Sequence, residues 1–316
     1  MRYRVAAPCR ADSVEALVSD TALGSSASAS ASRLALVALL VGGVAISGSP
    51  IFVRLSEVGP MATAFWRVAL ALLPLLIWAK ATEKTVSDSR PAGLTDYGLL
   101  VLPGVFLAAD LAAWHLSLHM TSVANATLLA NMAPIFVTLG SWVLFRARVS
   151  GVFLAGLATT LAGVVVLKGG PAALGDGHLA GDAAAVVAAV FYAGYILSIG
   201  RLRSRFSTSR IMIWSTASAA VCLLPLALLL EDSFIPMALF GWAILIGLAL
   251  ISHAGGQALI IYALAFLAPA FSSLTLLLQP VVAAVLAWVL LSEPIGLMQA
   301  VGGTVVLAGI MVARRG

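Results

Sequence analysis

The chain has 316 residues, 61% of them hydrophobic and 10% charged, with 18 Lys and Arg against 13 Asp and Glu. That balance excludes an ordinary soluble domain, and apolar runs that are continuous instead of alternating exclude a membrane β-barrel. What remains is an all-α integral membrane protein, and its basic excess reflects Lys and Arg left in cytoplasmic loops, not a nucleic-acid partner.

Residues 1–33 carry Arg2, Arg4 and Arg10, then the run from Ser25 to Ser32, and are expected to form a disordered cytoplasmic tail. The first apolar run begins only after Arg33 and is long enough to span, which argues against a cleaved signal peptide. A hydrocarbon core of about 30 Å takes about 20 helical residues. On that measure ten spans follow, at 34–53, 61–79, 97–118, 123–145, 151–168, 182–200, 211–230, 239–263, 270–291 and 295–312. The links between them leave no room for a soluble domain. The only cysteines, Cys9 and Cys222, imply neither a disulfide framework nor a cysteine metal site.

The Lys and Arg residues set the orientation. With a cytoplasmic amino terminus, all but three of the 18 fall on the inner side; Arg54 and Lys168 lie outside, and Arg67 lies within a span. Both termini are therefore expected in the cytoplasm, in a multi-pass protein of the cell's inner (plasma) membrane.

The stretch from Ala124 to Val166 returns 146 positions later, from Ala270 to Val312. Pro134 falls on Pro280, Trp142-Val143-Leu144 on Trp288-Val289-Leu290, and Gly156 and Gly163 on Gly302 and Gly309. Two five-helix repeats, 34–168 and 182–312, are expected, and because five is odd they must lie inverted. Inverted repeats are a mark of secondary transporters, whose halves rock about a site near the bilayer midplane.

The segment "SPIFVRLSEVGPMATAFWRVALALL" at 49–73, the five-plus-five duplication and the Pro and Trp of helices four and nine resemble the EamA-type drug/metabolite transporters. The resemblance implies a cavity lined by helices one to four and six to nine, with five and ten outside it. It also implies export of small metabolites, with amino acids the foremost class. Arg67 matches an arginine often found near the start of the family's second helix. Ala147 departs from an acid common after the fourth helix, whereas Glu293 keeps that acid after the ninth.

Asp110 is the acid deepest within a predicted span, so a buried partner or a wet cavity is expected for it. Arg67 lies at a matching depth, and an ion pair between them is expected, serving either to hold helices two and three or to couple transport. Trp114 and His115 lie farther up the same helix, and His253 and Gln257 share one face of helix eight. With Asn131, Tyr192 and Tyr195 these residues are candidates for substrate contact, packing being the alternative for each. Pro134 and Pro280 are expected to kink helices four and nine and to free the carbonyls of Ala130 and Leu276. The glycines of helices five and ten allow close packing within the chain, or a homodimer.

No clustered metal-ligand spacing, nucleotide-binding loop or cofactor motif occurs, and no catalytic residue stands out. The expected function is alternating-access export of amino acids or related metabolites through the lipid bilayer. Another cargo (drug, sugar or nucleotide-sugar), an intramembrane enzyme built on Ser252 or Ser117 with a histidine, and a channel are the competing readings. Reporter fusions at the two chain ends should both read out in the cytoplasm; ends on opposite sides of the membrane would overturn the even span count.

Overall fold

The structure is a computed structural model, and it describes residues 31–82, 91–121, 123–167, 179–291 and 295–316. Most of the expected tail, Lys168 and Glu293 lie outside the described residues. Helix is the element such apolar stretches must adopt where no water can satisfy backbone groups. The described residues form α1 (31–47), α2 (Ser49–Leu55), α3 (Pro60–Thr82), α4 (Leu94–Met120), α5 (Val123–Ala130), α6 (Ala133–Phe145) and α7 (Gly151–Leu167). They continue with α8 (Leu179–Leu202), α9 (Thr208–Leu230), α10 (Leu239–Gly247), a π-helical segment (Leu248–Gln257), α11 (Ala258–Ala263), α12 (Pro269–Thr275), α13 (Leu278–Leu291) and α14 (Leu297–Ala313).

Eight helical stretches among the described residues are long and apolar enough to cross a membrane. Two of the ten predicted spans, α7 and α14, are shorter at 17 residues each. At 1.5 Å per residue they measure about 26 Å. They pack on each other within the chain, and glycine makes that contact possible. A Cβ at Gly163 would sit 2.6 Å from the backbone nitrogen of Val306 and 3.0 Å from the Gly302 carbonyl oxygen. Neither backbone can give way without moving its helix.

Elsewhere α9 lies against both α3 and α4, which barely touch each other. The predicted neighbours, helices two and three, thus each pack more closely on helix seven than on each other. On its other side α4 packs against α8, and α3 against the π segment. The core holds Val68, Leu107, Ile196, Ile199, Met212 and Leu223, all buried. Outward faces stay apolar, as at Trp142, Val143, Trp288 and Val289, which suits lipid as the surrounding medium.

Four predicted spans are interrupted: the first turns at Gly48 between α1 and α2, and where kinks are expected in the fourth and ninth the helix breaks outright. The fourth breaks at Asn131-Met132, before Pro134, and the ninth breaks at Leu276-Leu277, before Pro280. Both prolines then sit in the first turn of the helix that follows, where a missing N–H costs nothing. The Leu276 carbonyl is not left free, because the chain tightens and Gln279 N–H donates to it at 2.9 Å. The eighth span carries a ten-residue π segment holding Ser252, His253, Gly255, Gly256 and Gln257. There Gly256 lies so close to α1 that a Cβ would stand 3.1 Å from the Gly42 carbonyl oxygen.

Gly163→Ala should therefore lower the thermal midpoint of the purified protein by the equivalent of about 1–3 kcal/mol of overpacking. Gly98→Ala, where a Cβ meets nothing within 4 Å, should leave it unchanged, and equal midpoints for the two variants would remove the close α7–α14 contact.

Candidate functional site

A cavity of about 160 Å³ opens between α2, α3, α4, the π segment and α13. It is lined by Ser49, Thr63, Arg67, Trp114, His115 and Gln279, with Ile46, Val53, Leu111 and Leu248 completing an apolar wall. Arg67 reaches it because α3 enters the bundle under a tied-down loop. Met61 N–H donates to Glu231 Oε1 at 2.7 Å, and Ala238 N–H donates to Glu57 Oε2 at 3.0 Å. Each loop carboxylate thereby satisfies a backbone donor at the start of the other half's helix, where the helix dipole favours negative charge. Trp66 Nε1–H adds a bond to the Phe234 carbonyl oxygen at 2.7 Å, inside a cluster of Phe65, Trp66, Phe234 and Trp242 rings. At the other end of the bundle Asp96 joins Arg205 at 3.0 Å.

The polar groups of the cavity differ in how they are bonded. Thr63 Oγ1 donates to the carbonyls of Val58 and Gly59 at 3.3 and 3.0 Å. His115 Nδ1 meets the Leu111 carbonyl oxygen at 2.6 Å, which requires the proton on Nδ1. Ser49 Oγ, Arg67 Nε and Gln279 Nε2, in contrast, are buried and have no hydrogen-bond partner in the protein. A larger groove of about 960 Å³ runs between α4, α6 and α8, but it is mainly apolar and open along the flank, with side chains such as Leu102, Phe106 and Leu197 in its wall. The smaller cavity is the better candidate, because unsatisfied donors converge there and not in the groove.

The predicted site residues separate into two groups. Trp114 and His115 line the cavity, with their rings in edge contact at 5.1 Å. Asp110 does not line it and makes no contact ion pair with Arg67, since no salt bridge joins them within 4.0 Å among the described residues. Matching depth did not bring the two charges within 4.0 Å, although α4 contributes Leu111, Trp114 and His115 to the same cavity wall as Arg67. Asp110 remains an electrostatic neighbour of Arg67, as do Tyr192 and Tyr195.

The remaining candidates are engaged in holding helices together. Gln257 Nε2 donates to the Tyr195 hydroxyl at 2.6 Å, linking the π segment to α8, and Tyr195 stacks on Tyr192 at 6.0 Å. His253 Nε2 bonds the Thr216 hydroxyl at 2.9 Å, linking the π segment to α9. Ser252 Oγ donates to the Ala45 carbonyl oxygen at 3.1 Å, so it does not form the Ser–His pair an intramembrane hydrolase would need. Asn131 occupies the break between α5 and α6 and is absent from the cavity wall.

Sequence reasoning missed Ser49, Thr63 and Gln279. Gln279 was visible as the one amide in the predicted ninth span, whose other polar residues are the hydroxyls Ser272, Ser273 and Thr275; the repeat alignment sets it against Ala133, so no polar counterpart marks it.

The sequence pattern of EamA-like transporters matches the chain twice, over residues 33–168 and again over 179–315. The chain belongs to the EamA-like transporter family. It is accordingly a multi-pass membrane protein of the drug/metabolite transporter class. An "Uncharacterized transporter" of Archaeoglobus fulgidus is 27% identical over 84% of this EamA-like chain and 91% of its own. A "Probable terminal-alkyne amino-acid exporter" of Streptantibioticus cattleyicolor is 29% identical over 66% and 71% of the two chains. The "Pseudopaline exporter CntI" of Pseudomonas aeruginosa is 27% identical over 60% and 64%. A solved crystal structure shares the fold with a TM-score of 0.75 at 20% identity, covering 91% of this chain and 98% of the other.

Tyr195→Phe removes the acceptor of the buried Gln257 amide and should cost roughly 1–3 kcal/mol of stability. A thermal midpoint equal to that of the parent protein would show that this bond does not hold α8 to the π segment.

Proposed function

We propose that this EamA-like chain is a secondary transporter that exports amino acids or related small metabolites by alternating access. The observation that carries the reading is the cavity at Arg67, where donors without protein partners face a space enclosed by helices from both parts of the chain. A buried guanidinium in a bilayer is costly unless it serves a solute or a wet pathway. The exporters of Streptantibioticus cattleyicolor and Pseudomonas aeruginosa, one named for amino acids, point to the same direction and scale of cargo.

In this reading residues 34–168 and 182–312 are two five-helix halves of opposite orientation, crossing the inner membrane ten times with both termini in the cytoplasm. The contacts support it: helix two of the first half meets helix two of the second (α3 with α9), the fourth meets the ninth (α6 with α12), and the fifth meets the tenth (α7 with α14). A twofold axis between the halves would bring those equivalents together. The shortness of α7 and α14 is no obstacle, because a bilayer thins to match a helix a few Å below its thickness. The breaks before Pro134 and Pro280 are the hinges about which helices four and nine rearrange.

Trp114 and His115 form the apolar and hydrogen-bonding wall for the solute. Asp110, near Arg67 but not bound to it, is the group that couples a proton to export. Tyr192, Tyr195, His253, Gln257 and Asn131 shape the cavity from behind.

Purified protein in liposomes should show saturable counterflow of tritiated amino acids, stimulated by a pH gradient. Asp110→Asn should reduce the initial rate by about tenfold or more, because an amide cannot take up and release the coupled proton. Flux that rises linearly with concentration would indicate a channel, and an unchanged rate in the variant would leave Asp110 a packing residue.

A further inference from the structure

We propose that the cavity between Ser49, Arg67 and Gln279 is a carboxylate subsite, which takes the acidic end of the transported solute. The inference rests on the transporter reading above and specifies what that site recognises.

Three observations carry it. Among the buried side-chain atoms of this wall, Ser49 Oγ, Arg67 Nε and Gln279 Nε2 have no hydrogen-bond partner in the protein and all three can donate, while His115 Nε2, with the ring proton on Nδ1, adds one acceptor to the same wall. Guanidinium and amide nitrogens offer no acceptor, so a solute amine or ammonium group would leave them unsatisfied, whereas a carboxylate has lone pairs for all three. Buried donors in a native protein are normally paired, and the other polar groups of this wall conform: Thr63 is bonded to its own loop and His115 to the turn below it.

Charge agrees with the donor count. No Asp or Glu lines the cavity, so Arg67 gives it a positive field. Asp110 lies behind Arg67 as an electrostatic neighbour and does not occupy the guanidinium. An anion entering the cavity therefore meets a charge that no contact ion pair has neutralised. Size sets the limit on what enters. A volume of 160 Å³ is that of about five water molecules, enough for a carboxylate and a short stem. Trp114 and Leu111 supply the apolar wall for that stem.

The donors also come from different parts of the fold. Ser49 stands on α2, Arg67 on α3 and Gln279 on α13, just after the break in the ninth span. A carboxylate held by all three would tie the first half of the chain to the hinge of the second. Binding of the acidic group would then itself bias the rearrangement, through contacts that differ between the two states.

Acid and amide pairs of the same solute test this directly: glycine, alanine, leucine and phenylalanine against their carboxamides, with inorganic phosphate as a separate anion. Thermal-shift titration of the purified protein should show at least one of the four acids binding about tenfold or more tighter than its amide. Arg67→Gln should abolish that preference by weakening acid binding to the level of the amide, and Gln279→Leu should reduce it. If Arg67→Gln does not purify as a monodisperse species, Gln279→Leu and Ser49→Ala provide the reading. Equal binding of acids and amides, an unaltered preference in the variants, or stabilisation by phosphate alone would overturn the subsite. So would saturable flux of neutral solutes with no binding of any acid, a result that leaves the transporter reading standing. Absence of flux for every solute would instead remove the transporter reading, and the subsite with it.

Discussion

An arginine inside an apolar helix bundle must have its charge answered by something. Here no carboxylate of the described protein touches the Arg67 guanidinium, and its Nε has no protein partner. The helix carrying it is not free to withdraw, because Glu231 caps its start, Trp66 is bonded to the facing loop, and α9 and the π segment press on its sides. The charge is therefore held where only water or a solute can complete it.

The scaffold around the site uses three different devices. Glycine lets α7 and α14 approach to backbone contact, where packing and weak polar contacts do the work that hydrophobic burial does in water. Loop carboxylates at Glu57 and Glu231 tie helix starts in opposite halves, so the loops at that end cannot move independently. Buried side-chain bonds, Gln257 to Tyr195 and His253 to Thr216, anchor the π segment to α8 and α9. Most of the polar residues that stand out in this sequence belong to the third device. A polar side chain in a membrane helix has to be satisfied somewhere, and a neighbouring helix is the commonest place.

A solved structure sharing only 20% of the residues has the same fold, which shows how little of the chain the architecture depends on in detail. Apolar length, loop charge and small residues at close crossings are enough for it. Recognition depends on far fewer positions, and the relatives named for amino acids and for pseudopaline lie at comparable distances from this chain, 29% and 27% identical. Site chemistry, not fold, is where members of such a family differ.

Composition and the continuity of apolar runs determined that this is a helical membrane protein, because backbone groups in hydrocarbon leave no other option for such segments. The span from 239 to 263 was legible to the residue, as an apolar run of the length a bilayer requires. The return of the Pro, Trp and Gly pattern placed the duplication, and the glycines marked helices five and ten for close packing; that their partners are each other, only the structure gives. What the sequence did not contain was rotation and neighbourhood. Depth along a helix follows from counting residues, but which face meets which partner depends on how all the helices pack together. That is why Asp110 and Arg67 matched in depth yet form no direct salt bridge, why His253 and Gln257 turned to separate partners, and why Gln279 lines the same cavity as Arg67.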